Sequence, residues 1–284
     1  MTKKFILCAD NLGSSKAANQ AIIEAFEVGL LKSSTTKANA EFFNDVAQVV
    51  SKCPDLAIGL ELNLSNGKSI CTDLMKLTDD NLNFKNSFIQ LLIKAYNPKE
   101  EDFLSEVERE FRRQIEKTLS IAQITHLTLN FQDYIIPKFF ELVCRLANEY
   151  KIKYIRTPYE KIYFISNFKK NILIKYLVNL TKNLFLLLIK IFYKRYLAKY
   201  DLSTNDYTIG ILYNSELNPS ILAKALSTIK TETHIVETVI YPRRYEEGFV
   251  DNYFDEFLLA KNKKLKDKLN DLNYEITNYA EKNA

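Results

Sequence analysis

About seven short apolar runs, each ending in polar residues and separated by helical periodicity, limit what this 284-residue chain can fold into. The first run is Phe5-Ile6-Leu7-Cys8-Ala9, which leads into Asp10, Asn11, Leu12 and Gly13. An apolar run without alternation reads as a strand covered on both faces, the habit of parallel sheets. Parallel strands need long crossovers, normally helices. Within residues 15–31, Ala18, Ile22, Ala25, Phe26 and Leu30 recur at steps of three and four, which predicts one. The same signals predict strands at residues 33–39, 56–64, 126–131, 153–159, 207–213 and 234–241. Helices are expected at residues 40–51, 100–120, 137–150, 218–229 and 251–269, and residues 68–98 read as an insertion with short helices. The expectation is an α/β fold: a single barrel-like (β/α) domain over residues 1–284, with about seven parallel strands, a distorted relative of the TIM barrel.

Polar residues recur at the carboxyl ends of these strands: Asp10 and Asn11, Asn39, Glu61 and Asn63, Asn130, Gln132 and Asp133, Arg156, Tyr213 and Asn214, then Tyr241, Arg243 and Arg244. In parallel α/β folds that rim holds the chemistry. Taken singly, each is an ordinary loop or capping residue. Their recurrence in register points to one polar pocket suited to a hydroxyl-rich ligand such as a sugar.

No Pro/Gly-rich linker, low-complexity tract or solenoid repeat interrupts the chain. Cys8, Cys53, Cys71 and Cys144 lack metal-type spacing and suit free thiols in a reducing compartment. The apolar run after Met1-Thr2-Lys3-Lys4 is too short for a signal peptide, so a cytoplasmic location is expected.

Charge is uneven. Residues 151–199 hold 12 Lys and Arg against one acid, Glu160, a net of +11. The whole chain carries +4, so the remainder carries 4 − 11 = −7. Residues 168–200 read as a basic amphipathic segment, with Asn171, Lys175, Asn179, Lys182, Lys190 and Lys194 on one stripe and residues 184–189 filling other faces. That apolar run is shorter than the roughly 20 residues needed to span a bilayer. The segment from Lys169 to Lys199 therefore suits an anionic membrane surface, or else a barrel helix with solvated lysines. No nucleic-acid-binding module is recognisable, and a homodimer is compatible with the sequence.

The chain resembles the YdjC-like carbohydrate deacetylases, the group that includes chitooligosaccharide and hopanoid-associated deacetylases. That family opens with a strand ending Ala-Asp-Asp-Phe-Gly, here Ala9-Asp10-Asn11-Leu12-Gly13, followed by Asn19, Ala21, Ala25 and Gly29. Its Gly-Leu-His-Leu-Asn-Leu strand is Gly59-Leu60-Glu61-Leu62-Asn63-Leu64. Its Thr-His-Leu-Asp-Ser-His-Gln-His strand is Thr125-His126-Leu127-Thr128-Leu129-Asn130-Phe131-Gln132, and its Arg-x-Pro-x-Glu element is Arg156, Pro158 and Glu160. The resemblance implies a barrel fold and a divalent metal, such as zinc or magnesium, held by an aspartate and two histidines. It also implies an aspartate base and a histidine acid in a late His-Pro-Gly element.

Here the base position is kept as Asp10, while the former ligand positions carry Asn11, Glu61 and Asn130, and the late histidine is Tyr241. Amides bind borderline-soft metals far less well than carboxylate or imidazole. No bound metal is expected, although Glu61 with Asp10 is a set that a hard cation would accept weakly. By the resemblance, Asp10, Arg156 and Tyr241 take the catalytic positions; the in-register polar series makes Asn39, Asn63, Gln132, Asp133 and Arg243 the substrate-binding candidates. Arg156 either pairs with Asp10 or faces solvent. The favoured reading is a degenerate deacetylase that binds an N-acetylated sugar, free or lipid-linked, at the cytoplasmic membrane face. The alternatives are an active deacetylase with a rearranged site, and a structural partner with a vestigial pocket.

Overall fold

The computed structural model describes residues 3–165, 170–231, 234–245 and 252–281. Its elements are β1 (Lys3–Leu12), α1 (Lys16–Val28), β2 (Leu31–Thr36), α2 (Val46–Lys52), β3 (Ala57–Leu62), α3 (Phe88–Tyr96), α4 (Glu101–Leu119), β4 (Ile124–Leu129), α5 (Pro137–Glu149), β5 (Tyr154–Ile155), α6 (Lys170–Lys199), β6 (Tyr207–Ile209), α7 (Pro219–Ser227), β7 (His234–Ile240), α8 (Tyr253–Ala260), α9 (Lys263–Asp271) and β8 (Tyr274–Ile276).

One sheet runs β5-β4-β3-β2-β1-β7-β6, every pairing parallel, so the first strand sits near its middle. β1 is buried from Phe5 to Asp10, as its unbroken apolar run requires. Helices surround the sheet and it curls into a barrel-like shape, the expected α/β class. The edges β5 and β6 are stitched by an irregular strip. The Ser203 N–H donates to Lys153 O (2.9 Å) and the Thr208 N–H to Tyr159 O (2.7 Å). Asn205 accepts from the Thr157 N–H (2.9 Å) and donates to Thr208 Oγ1 (2.7 Å).

Several boundaries differ from expectation. α1 starts after the Ser15 cap and ends at Gly29, whose φ of 80° closes the helix, so β2 begins two residues earlier than the periodicity suggested. The closing helix is two helices, broken where Asn262 caps α9; Asp251 lies outside the described residues. β8 was not foreseen. It pairs with the start of β1, below the point where β2 begins its own pairing. The 68–98 insertion contains α3 and two isolated antiparallel bridges. It is pinned to α4: Glu110 accepts from Ile70 and Cys71 N–H groups, and Glu106 from Met75, Lys76 and Leu77.

α6 corrects the picture of an outward lysine stripe. Tyr176, Asn183, Leu186, Tyr193 and Leu197 are buried, and the Tyr193 ring lies 4.3 Å from that of Phe140 on α5. The lysines flank this inner face. Lys175 pairs with Glu216, Lys182 lies over the Phe131 ring and Lys190 over the Tyr159 ring. A lysine there neutralises or covers a neighbour on the body, while the face turned away is apolar. Ile172–Lys199 is also long and apolar enough to cross a membrane by length and composition, contrary to the short-run estimate. Lys169 lies outside the described residues.

Candidate functional site

The parallel sheet brings its carboxyl-terminal residues to one rim, and a cavity of about 280 Å³ opens there. Asp10 of β1, Lys37 after β2, Glu61 of β3, Asn130 and Gln132 after β4, Arg156 after β5 and Tyr241 after β7 all line it. Asn179 and Lys182 of α6 form part of one wall. A neighbouring cavity shares Asp10, Lys37 and Tyr241 and adds Asn11 and Arg243.

Arg156 organises the floor. Its guanidinium donates to both oxygens of Asp10 (Nη2 to Oδ1 2.9 Å), to both oxygens of Glu237 (Nε to Oε2 2.8 Å) and to Thr35 Oγ1 (3.4 Å). Arg156, Asp10 and Glu237 are nearly inaccessible, so the solvent-facing reading of Arg156 is set aside. Burial pushes the Glu237 carboxyl up, and Arg156 draws it back towards ionisation. The Tyr279 hydroxyl donates to Glu237 Oε2 (2.6 Å).

Above this layer Lys37 Nζ lies 3.2 Å from Glu61 Oε1. Burial raises the Glu61 pKa, an effect that Lys37 opposes. Burial first, then the charges of Asp10 and Glu61, push the Tyr241 phenol up, which keeps it a neutral hydrogen-bond donor.

The remaining expected residues fall elsewhere. Asn63 Nδ2 donates to Asn39 Oδ1 and Asn66 O, and Asn39 Nδ2 donates to Asn66 O and Lys68 O. Both staple the loop after β3 and do not line the main cavity. Asp133 is buried off the cavity, its pKa raised to about 7 by burial and then by Glu61. Arg243 lies over the Tyr253 ring. Both histidines are structural in setting. His126 stacks on Tyr279 at 4.0 Å, and His234 Nε2 is 2.9 Å from the Tyr274 hydroxyl.

Sequence reasoning missed Lys37, Glu237 and Tyr279. An acid in the apolar run Ile235-Val236-Glu237-Thr238-Val239-Ile240 was the available signal for Glu237, and a charge at a strand end was the signal for Lys37. Tyr279 follows the unforeseen β8.

A family profile described as YdjC-like protein matches residues 4–271. The chain belongs to the YdjC-like family. Curated relatives named carbohydrate deacetylase include one from Clostridium beijerinckii, 31% identical over 150 residues, or 52% of this chain and 58% of that protein. Another, from Listeria monocytogenes, is 34% identical over 149 residues, covering 52% and 59%. The matches thus span less than two thirds of these relatives' lengths. A crystal structure titled a putative cellobiose-phosphate cleavage protein, from Enterococcus faecalis, superposes with a TM-score of 0.73 at 20% identity over 99% of both chains, which shows the shared fold. An uncharacterized protein from Agrobacterium tumefaciens follows at 0.54 and 11% identity, covering 98% of this chain and 89% of that one.

The metal that the YdjC-like resemblance implies does not fit these residues. Asn11 Nδ2 donates to Pro242 O (2.8 Å), and its Oδ1 is buried without a partner among the described residues. Asn130 Nδ2 donates to Ser65 Oγ (3.0 Å). Glu61 already has the Lys37 ammonium and Asp10 the Arg156 guanidinium. A hard cation at Glu61 and Asp10 would meet two resident positive charges. Cys8, His126 and Glu237 do have metal-like spacing beneath the cavity. However, Arg156 occupies both Glu237 oxygens, and burial holds the Cys8 thiol protonated.

Proposed function

We propose that this YdjC-like protein binds an N-acetylated carbohydrate in the Asp10 cavity and does not hydrolyse it by a metal route. The observation that carries this reading is the pairing of Lys37 with Glu61 and of Arg156 with Asp10. The positive charge that a metal would bring is already built into the protein. The names of the curated relatives support a carbohydrate ligand. So does the lining, where amides of Asn130, Gln132, Asn179 and Asn214 and the Tyr241 phenol offer paired donors and acceptors for hydroxyl and acetamide groups. The cavity is near the lower end of the usual ligand-pocket range of about 300–1,000 Å³, which suits one or two sugar units. A lipid-linked sugar is the finer form of the same reading.

Calorimetric titration with N-acetylglucosamine and its dimer, beside an acetate-release assay and elemental analysis, tests it. Binding without acetate release, weakened by Gln132→Ala and by Tyr241→Phe, is the expected result. Acetate release that Asp10→Asn abolishes, with stoichiometric zinc, would establish an active deacetylase with a rearranged site. The feature favouring that second reading is Asp10 itself, a carboxylate retained on the cavity wall. No binding at millimolar sugar would leave a vestigial pocket. Asn11→Asp, Glu61→His, Asn130→His and Tyr241→His together are expected to gain zinc affinity fully only when Lys37→Met is added, because the ammonium opposes the ion.

A further inference from the structure

The outward face of α6 is the largest feature that the cavity chemistry leaves unused. Ile174, Leu177, Val178, Phe185, Leu188 and Phe192 recur at helical spacing and are all exposed, and Leu188 and the flanking Ile191 reach 73% and 71%. The helix is about 45 Å long. Soluble monomers rarely expose an apolar stripe of this extent without a partner for it.

We infer that this face docks the protein on an anionic lipid bilayer, with α6 lying in the interface plane. Charge selects the occupant. The helix sequence carries seven basic residues and no acid, and Lys194 and Arg195 are exposed beside the apolar stripe. Acyl chains would receive the apolar side chains, and anionic headgroups the flanking cations. A second copy suits the face poorly, because packing two such helices together would bring the exposed Lys194 and Arg195 of each against a helix that carries no acid. Spanning is also disfavoured, despite sufficient length. The inner face is buried in the body, and the Asn183 side chain holds the Glu160 backbone, Nδ2 donating to Glu160 O (2.8 Å) and Oδ1 accepting from the Glu160 N–H (3.3 Å).

The docking is mainly apolar, since Lys175 and Lys199 are paired with Glu216 and Glu141. Asn179 and Lys182 on the same helix line the Asp10 cavity, so docking would hold that cavity beside the membrane. The inference stands on α6 alone and does not depend on which ligand the cavity takes.

Co-flotation with vesicles of phosphatidylcholine, and of phosphatidylcholine with phosphatidylglycerol, tests it at low and high salt. Wild type is expected to float with the anionic vesicles, and in part to remain with them in high salt. Phe185→Gln, Leu188→Gln and Ile191→Gln combined should reduce flotation at least tenfold with the thermal melt retained, because all three side chains are exposed. Lys194→Gln with Arg195→Gln should lose most of the preference for anionic vesicles. Wild type that stays with the dense fraction in both vesicle types at low salt would overturn the proposal. So would a dimer in size-exclusion light scattering that the triple variant converts to monomer with no change in flotation, which would make the face a self-interface.

Discussion

Arg156 faces Asp10 on one side and Glu237 on the other, in a layer with almost no solvent access. Removing one partner of such a network leaves uncompensated buried charge. Arg156→Ala is expected to cost about 3–5 kcal/mol in urea unfolding. Adding Asp10→Asn and Glu237→Gln should recover much of that loss, and a failure to recover any would show that packing, not charge, sets the cost. Asp133 gives a separate pH signature. Its pKa is about 7, against roughly 3.9 in an unfolded chain. Between those values the folded state keeps a proton that the unfolded state has released, so stability attributable to this group falls as pH rises through that window and levels off above it. The full difference is of the order of 4 kcal/mol. Asp133→Asn should therefore gain stability relative to wild type from pH 4 to pH 8. A gap between the two unfolding curves that stays constant with pH would refute the assignment. Asp10, Glu61, Asn130 and Arg156 were legible as rim residues because each ends a recognisable strand. Lys37 was not, because a lysine after a strand usually faces solvent, and only the structure shows Glu61 within its reach.

At the scale of elements, β3 and β4 meet through a glycine. Gly59 pairs with His126, and a Cβ at Gly59 would collide with the imidazole ring. The family-like Gly-Leu-x-Leu-Asn run thus has a packing reason: the ring needs that space to lie between β3 and Tyr279. Gly59→Ala is expected to destabilise by about 1–3 kcal/mol as the ring is displaced. Gly59→Ala with His126→Ala should show non-additivity in a double-mutant cycle, and strict additivity would place the strain elsewhere. The Arg-x-Pro-x-Glu element also gains a physical account. Arg156 faces the floor and Pro158 lines the cavity, while Glu160 accepts from the Ile211 and Leu212 N–H groups (2.7 Å each) and the Tyr163 hydroxyl (2.9 Å). This short segment therefore anchors the site, α6 (through Asn183) and the strip after β6 together. The orientation of α6 was not legible, because apolar residues occupy both of its faces and lysine spacing alone does not say which side meets the body.

Across the whole molecule, the first and last described strands meet beneath the site. β8 pairs with the first residues of β1, and the Thr277 N–H donates to Phe5 O (3.0 Å). Tyr279 then reaches inward, stacking on His126 and donating to Glu237, which accepts from the same Arg156 guanidinium as Asp10. A three-residue strand carries little periodic signal, and its partner lies at the opposite end of the sequence, so local pattern could not reveal this closure. Contacts of such separation carry a high loop-closure entropy. Tyr279→Phe retains the ring and removes one buried hydrogen bond to a charged group, worth about 1.5–3 kcal/mol. Truncation after Asn273 removes the ring, the strand pairing and the cover over His126 together, and should cost clearly more than Tyr279→Phe. Both effects should appear mainly as faster unfolding, with refolding rates little changed, if the closure is absent from the transition state. Stopped-flow chevrons of the two variants beside wild type measure this. Equal losses in the two variants would show that the hydroxyl alone matters, and slowed refolding would place the meeting of these strands early in folding.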